Sequence, residues 1–93
     1  MNNQSVINAF ALGKKGRSSN GNLYTDGTRL MNYSTCLAQR LSNGTILFNA
    51  TKYSVSTSKI QTWTLGTLMR QGVNYKPLYS VPMGAYSLER YIK

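Results

Sequence analysis

Apolar and polar positions along the chain change period several times, and each change marks a separate element. In residues 3–12, Val6, Ile7, Phe10 and Ala11 recur at i, i+1, i+4 and i+5, which puts them on one face of a short helix. From Gly13 to Asn22 the periodicity is lost among Gly, Ser, Asn and basic residues, so this stretch reads as a flexible basic linker. Strand signals come next. Leu23-Tyr24-Thr25 runs into Asp26-Gly27, a turn pair that tolerates positive φ. Residues 28–33 and 35–41 are β-compatible, Ser42-Asn43-Gly44 makes the next turn, and residues 45–51 complete an antiparallel meander of three or four strands.

Residues 57–71 return to helical spacing. A hydroxyl among Ser56 to Ser58 can cap the start by accepting from an orphan backbone N–H. Ile60, Trp63, Thr67 and Leu68 then lie near one face, and Gly72 suits the residue just past the end. Large aromatics dominate small cores, so this spacing favours a core position for Trp63. The segment 73–93 holds Pro77, Pro82 and four tyrosines. It reads as extended chain along a surface, with an edge strand near 78–81 and a short helix over 85–92. The expectation is an α+β fold in one domain over 1–93. Residues 1–21 form a short helix and flexible basic segment, 22–72 a small antiparallel β-meander packed on one main helix, and 73–93 a Tyr/Pro tail.

Charge adds what the pattern does not. Eleven Lys and Arg face two acids, Asp26 and Glu89, for a net charge of +9, yet charged residues are only 14% of the chain. That share is well below the usual quarter or so, so the imbalance comes from missing acids. A surface of this kind attracts polyanions and speeds encounter with them.

Enzymatic chemistry fails on inventory. The chain has no histidine, one cysteine and two acids far apart, which excludes a His-based triad, paired-carboxylate hydrolysis and an ordinary metal site; no cofactor is expected. Ser56-Thr57-Ser58-Lys59 fits the S-x-x-K pattern of serine acyl enzymes, but its companion motifs are absent, and a helix cap followed by a solvated lysine explains it. A histidine-free ribonuclease using Lys, Arg and Tyr needs a different order of elements. The single cysteine, the lack of a secretory signal and the lack of an apolar run of about 20 residues point to a cytoplasmic protein without a membrane partner.

Gly13-Lys14-Lys15-Gly16 has the GXXG form that clamps phosphates in KH domains, though Arg17-Ser18-Ser19-Asn20-Gly21 after it does not begin a helix. Lys14, Lys15 and Arg17 still cluster on one segment and suit phosphate contacts. The other bases are spread: Arg29, Arg40, Lys52, Lys59, Arg70, Lys76, Arg90 and Lys93. Lys52-Tyr53, Tyr75-Lys76 and Lys59 with Trp63 put cations beside aromatics, the combination single-strand binders use. Whether the tyrosines stack on bases or fill the core stays open here.

Residues 22–61 carry a pattern of N-L-Y, a hydrophobic-Asn-Tyr-Ser-Thr segment, Asn-x-Thr-Lys-Tyr-Ser and Thr-Ser-Lys-x-Gln. In this the chain resembles a small family of uncharacterised proteins from phages and mobile elements of Gram-positive bacteria, which implies a source and no catalytic residues. Within it, Ile46-Leu47-Phe48-Asn49-Ala50-Thr51-Lys52, with a helix containing Trp63 after it, is similar to the core of the KilA-N domain, a phage DNA-binding module. The loop after Lys52 lacks that family's leucine. The resemblance implies nucleic-acid contacts from Asn49, Thr51 and Lys52, with Tyr53 adjacent.

Together these observations predict a small basic nucleic-acid-binding protein of a phage or mobile element, acting in the host cell cytoplasm. DNA is the first partner and RNA the second, mostly through the phosphate backbone. The candidate contacts are Lys14, Lys15, Arg17, Asn49, Thr51, Lys52, Tyr53, Lys59 and Arg70. If six to ten phosphates are neutralised, affinity falls by about 10³–10⁵ between 50 and 200 mM salt. The competing class is a phage inhibitor of a host enzyme or defence complex, because Tyr is favoured at interfaces. Self-association is a further alternative, since a short meander leaves edge strands to cover.

Overall fold

The computed structural model describes residues 1–92, so Lys93 lies outside the described residues. Helix α1 (Asn3–Ala11) leads into β1 (Gly16–Arg17), β2 (Leu23–Thr25), β3 (Arg29–Asn32), β4 (Thr35–Arg40) and β5 (Ile46–Asn49). Helix α2 (Val55–Gln71) then crosses to β6 (Tyr75–Leu78), and a 3₁₀ turn covers Glu89–Tyr91. The strands form one sheet in sequence order, antiparallel throughout except that β6 joins β5 in parallel. A parallel neighbour cannot be reached by a tight turn, and α2 supplies the long crossover it needs. The chain therefore has an α+β fold, with the expected meander extended by one strand at each edge.

Alternation along the strands splits the apolar side chains between two cores. Leu23, Leu30, Ile46 and Phe48 pack against Val6, Ile7 and Phe10 of α1 and Ile60 and Leu68 of α2. Met31, Cys36 and Leu47 point the other way, onto Leu78 and onto Val81 and Leu88 of the tail. The result is three layers: helices, sheet and extended tail. At the β3–β4 pairing, Met31 faces Cys36 but Leu30 faces Ala38, so Leu37 is an inserted bulge residue. The bulge explains why consecutive Leu37 and Ala38 both join the helix-side core.

Turn chemistry falls where the sequence places it. Gly27 has φ +97° and sits so close to the Gly13 carbonyl that a Cβ there would approach the oxygen to 2.6 Å, so no other residue fits. Gly72 ends α2 in the left-handed conformation at φ 67°. Arg40 closes α1 from the sheet. Its guanidinium donates to the Phe10 and Ala11 carbonyls at 3.0 and 3.3 Å and to the Gly27 carbonyl, and it lies 5.1 Å over the Phe10 ring. A cation there complements the negative end of the helix.

Five expectations need correction. The 13–22 segment is not all linker, because Gly16–Arg17 pair with β2 and Ser18 is buried. Helix α2 begins earlier than residue 57, with Ser54 Oγ accepting from Thr57 N–H at 3.3 Å in place of a cap among residues 56–58. The edge strand is Tyr75–Leu78, not 78–81, and the terminal helix is reduced to the 3₁₀ turn.

The fifth concerns Trp63, which is not a core residue: it is 45% exposed. The buried stripe of α2 is Ile60, Gln61, Thr64, Thr67 and Leu68. Two of its polar members hide their hydroxyls by donating back to helix carbonyls, Thr64 to Ile60 at 2.7 Å and Thr67 to Trp63 at 2.9 Å. Polar residues satisfied in this way occupy the core face and leave the indole outside.

The β6 edge of the sheet is poorly suited to strand-to-strand pairing. Ile46 N–H bonds the Asn74 carbonyl and Ala50 N–H bonds the Leu78 carbonyl, so residues of even number carry the ladder to β5. Pro77 then falls at an outward-facing position, where it has no N–H to offer a new strand.

Cys36 is buried between sheet and tail, and desolvation pushes its thiol up to about 12. The thiolate is the reactive form. The folded protein is therefore expected to resist alkylation at mildly alkaline pH and to label rapidly once denatured, read by mass spectrometry with and without denaturant.

Candidate nucleic-acid interface

The nine candidate residues divide into two groups. Asn49 is fully buried and knots three segments together. Its Nδ2 donates to the Cys36 carbonyl at 3.0 Å and to Tyr53 Oη at 2.9 Å, while its Oδ1 accepts from Thr51 N–H at 3.0 Å. Tyr53 Oη donates on to the Val81 carbonyl at 2.6 Å, and Thr51 Oγ1 accepts from Val81 N–H at 2.8 Å. Gln61 Nε2 closes the network on the Asn49 and Thr51 carbonyls, both at 2.8 Å. As folded, the side chains of Asn49, Thr51 and Tyr53 fasten the tail to the β5–α2 loop. Asn49 is closed off from the surface, whereas Thr51 and Tyr53 are half-buried with their hydroxyls engaged in the network. Lys52, between them in sequence, is exposed.

The cations do not merge into one patch. Lys14 and Lys15 come after α1, Arg17 lies on β1, Lys52 on the β5–α2 loop, and Lys59 and Arg70 near opposite ends of α2; all six are exposed. Arg17 lies 4.8 Å over the Tyr24 ring and donates to the Gly21 carbonyl at 3.3 Å. Arg70 donates to Thr67 Oγ1 at 3.2 Å. Arg90 is on the tail layer, where Arg29 is held 4.8 Å over Tyr86. The two acids are committed internally. The Asp26 carboxylate accepts from the Arg29 and Thr28 N–H groups, and these bonds hold its pKa below the ordinary value. Glu89 accepts from Gln39 Nε2 at 2.6 Å. Among the described residues, no three of His, Cys, Asp or Glu come together to hold a metal, and no helix is long and apolar enough to cross a membrane.

Among the described residues, three depressions set a cation beside exposed aromatic rings: one on the tail with Lys76, Tyr79 and Arg90, another on the tail with Tyr86 and Arg90, and one against α2 that holds the exposed indole. The depression against α2 has a volume of about 420 Å³ and lies between the first three turns of the helix and two loops of the sheet. Lys59 and Trp63 form its helix wall; Tyr33, from the β3–β4 turn, and Asn22, from the β1–β2 loop, form the other. A second depression of about 220 Å³ shares Asn32, Tyr33, Ser54 and Thr57 and continues the groove to Met83. Lys59 and Trp63 are four residues apart and hence neighbours on the helix surface. The first turn of α2 carries no acid, so its positive end adds to Lys59.

Tyr33 is 65% exposed and has φ 55°, the left-handed conformation at a residue other than glycine. Such a backbone costs about 1–2 kcal/mol. Asn22 Nδ2 donates to its Oη at 2.9 Å, and Tyr24 Oη donates to its carbonyl at 3.1 Å, so both ends of the residue are pinned. Of the groove residues, only Lys59 and its aromatic neighbour Trp63 are visible as a pair in sequence. Nothing in the order of residues marks Tyr33, whose placement depends on a turn conformation that sequence disfavours.

No family model matches the chain, and no match is found among curated proteins or solved structures.

Proposed function

We propose that this protein binds single-stranded nucleic acid, DNA first, with bases seated in the Trp63–Tyr33 groove and phosphates met by Lys59 at the groove and by exposed lysines and arginines elsewhere on the surface. One observation carries the proposal: the chain's sole tryptophan is left outside the core, on the same helix face as Lys59 and across a groove from an exposed tyrosine. Every base has a π-face, so aromatic platforms beside cations bind strands with little regard to sequence. The +9 charge adds long-range attraction, and a phage or mobile-element source, which the pattern over residues 22–61 implies, would place the activity in a host cell.

Two variants test this by fluorescence anisotropy with labelled single- and double-stranded oligonucleotides. Trp63→Ala is expected to weaken single-strand binding roughly 5- to 100-fold, the range for losing one stacked base. Tyr33→Gly removes the second ring and relieves a strained backbone. It is expected to bind several-fold more weakly while its melting temperature holds or rises. Unchanged affinity in both variants would remove the groove from the interface.

A second reading has an observation of its own. The tail presents Tyr79, Met83 and Tyr86 to solvent, residue types enriched where proteins meet. An inhibitor that docks on a host enzyme or defence complex would use that layer. A stoichiometric protein partner that survives nuclease treatment and is lost on Tyr79→Ser with Tyr86→Ser would favour it.

A further inference from the structure

The groove against α2 does not end at Tyr33. Its extension reaches Met83, and Met83 also lines a tail depression of about 350 Å³ with Pro82 and Tyr86. That depression shares Arg90 and Tyr91 with the one of about 340 Å³ beside Tyr79 and the β6 edge. The four therefore join end to end, each sharing at least one wall residue with the next, from Trp63 past the β3–β4 turn to the tail. We infer that they form one track, along which a single strand of nucleic acid runs from the Trp63–Tyr33 groove onto the tail; this rests on the single-strand reading above.

The side chains along the route suit a nucleic-acid strand better than a peptide. Trp63, Tyr33, Tyr86 and Tyr79 follow one another along it, and all four rings are exposed. A series of rings offers successive bases a series of stacking platforms. Between Tyr33 and Tyr86 lies the exposed thioether of Met83, a flexible side chain that adapts to what it meets. Tyr86 is braced by the Arg29 guanidinium, 4.8 Å over its ring. Among the described residues, no Asp or Glu lines any of the four depressions, so no acidic side chain on the walls repels a phosphate. Lys59 stands near one end, and Arg90 and Lys76 near the other, so the track lengthens the site through rings more than through charge. A peptide laid along the far end would gain little strand pairing from β6, because its outward side includes Pro77.

The experiment titrates the full chain with labelled oligothymidines of about 4 and about 12 nucleotides, lengths within the range that small single-strand-binding folds occupy. Anisotropy gives affinity, and quenching of the chain's single indole reports whether the Trp63 end is filled. Both strands are expected to quench, and the longer to bind at least about 30-fold tighter, the low end for two further stacked bases. Tyr86→Ser with Arg90→Gln should remove most of that gain and leave the shorter strand's affinity and quenching unchanged. Tyr79→Ser alone, at the far end, should remove a smaller part of it. Equal affinity for the two lengths, with full quenching, would overturn the track and leave the groove standing. A gain that the tail substitutions do not touch would also overturn it and leave the tail to a protein partner. Loss of short-strand affinity in the tail variants would make the tail a separate site and overturn the continuous path. No binding of either strand would overturn the single-strand reading itself.

Discussion

Asn49→Leu is expected to destabilise the protein by about 3–5 kcal/mol and to leave nucleic-acid contacts on any surviving folded molecules intact. The substitution removes the donor to the Cys36 carbonyl and the acceptor for Thr51 N–H, and it takes one partner from Tyr53 Oη. A buried polar group left unpaired costs about 1–3 kcal/mol, and at least two are created together. Small domains hold only about 5–15 kcal/mol in all, so the loss is a large fraction. At about 4–8 °C per kcal/mol for a chain of this size, the melting temperature should fall by roughly 15–30 °C. Thermal and urea denaturation followed by circular dichroism measure this directly. A variant with unchanged melting temperature and weakened nucleic-acid binding would return Asn49 to the interface, where the KilA-N likeness puts it.

The second large effect is salt dependence, and the structure lowers its expected size. Net charge alone allows six to ten phosphate contacts. The exposed cations, however, are divided among the helix layer, both sheet edges, the β5–α2 loop and the tail, so a strand crossing one face meets about half of the eight among the described residues. Four neutralised phosphates on a single strand give a slope of about −2.8 in log affinity against log salt, or roughly a 50-fold loss between 50 and 200 mM. Anisotropy titrations across that range give the slope. A value near zero would mean that the charge is not used, and one beyond about −6 would mean that a strand wraps more than one layer of the fold.

The order of strands β2 to β5 was legible because their turns carry unambiguous chemistry: Asp26-Gly27, with its forced positive φ, and Asn43-Gly44. Both ends of the sheet were hidden for different reasons. Gly16–Arg17 is too short and polar to show a strand period, and its pairing depends on the loop that returns Leu23 beside Ser18. β6 contains Pro77, which argues against a strand in isolation but is tolerated on an edge whose outward side needs no donor. The start of α2 was ambiguous because residues 54, 56, 57 and 58 are all hydroxyl-bearing; the anchored Tyr53 Oη decides it by fixing where the loop must end.

The candidate site was legible in part. Lys59 beside Trp63 could be picked out by spacing, but the orientation of Trp63 could not, because the helix buries Gln61, Thr64 and Thr67 where hydrophobicity alone would place the indole. The Asn-Ala-Thr-Lys-Tyr motif misled in the opposite direction. Its polar side chains look available in sequence, and the fold uses three of them to tie the tail down. Tyr33 emerged only from the structure, through a strained backbone that puts its ring opposite Trp63. Strain of that kind persists where surrounding contacts hold it, and it clusters at functional sites.

The most direct test of strand binding in the groove is a backbone amide NMR titration of the full chain with a short single-stranded DNA oligonucleotide at low salt. Shifts are expected to concentrate at residues 20–23, 32–34 and 54–63, with the Trp63 indole N–H among the largest. Shifts confined to the tail residues 79–92, or none at all, would contradict binding there.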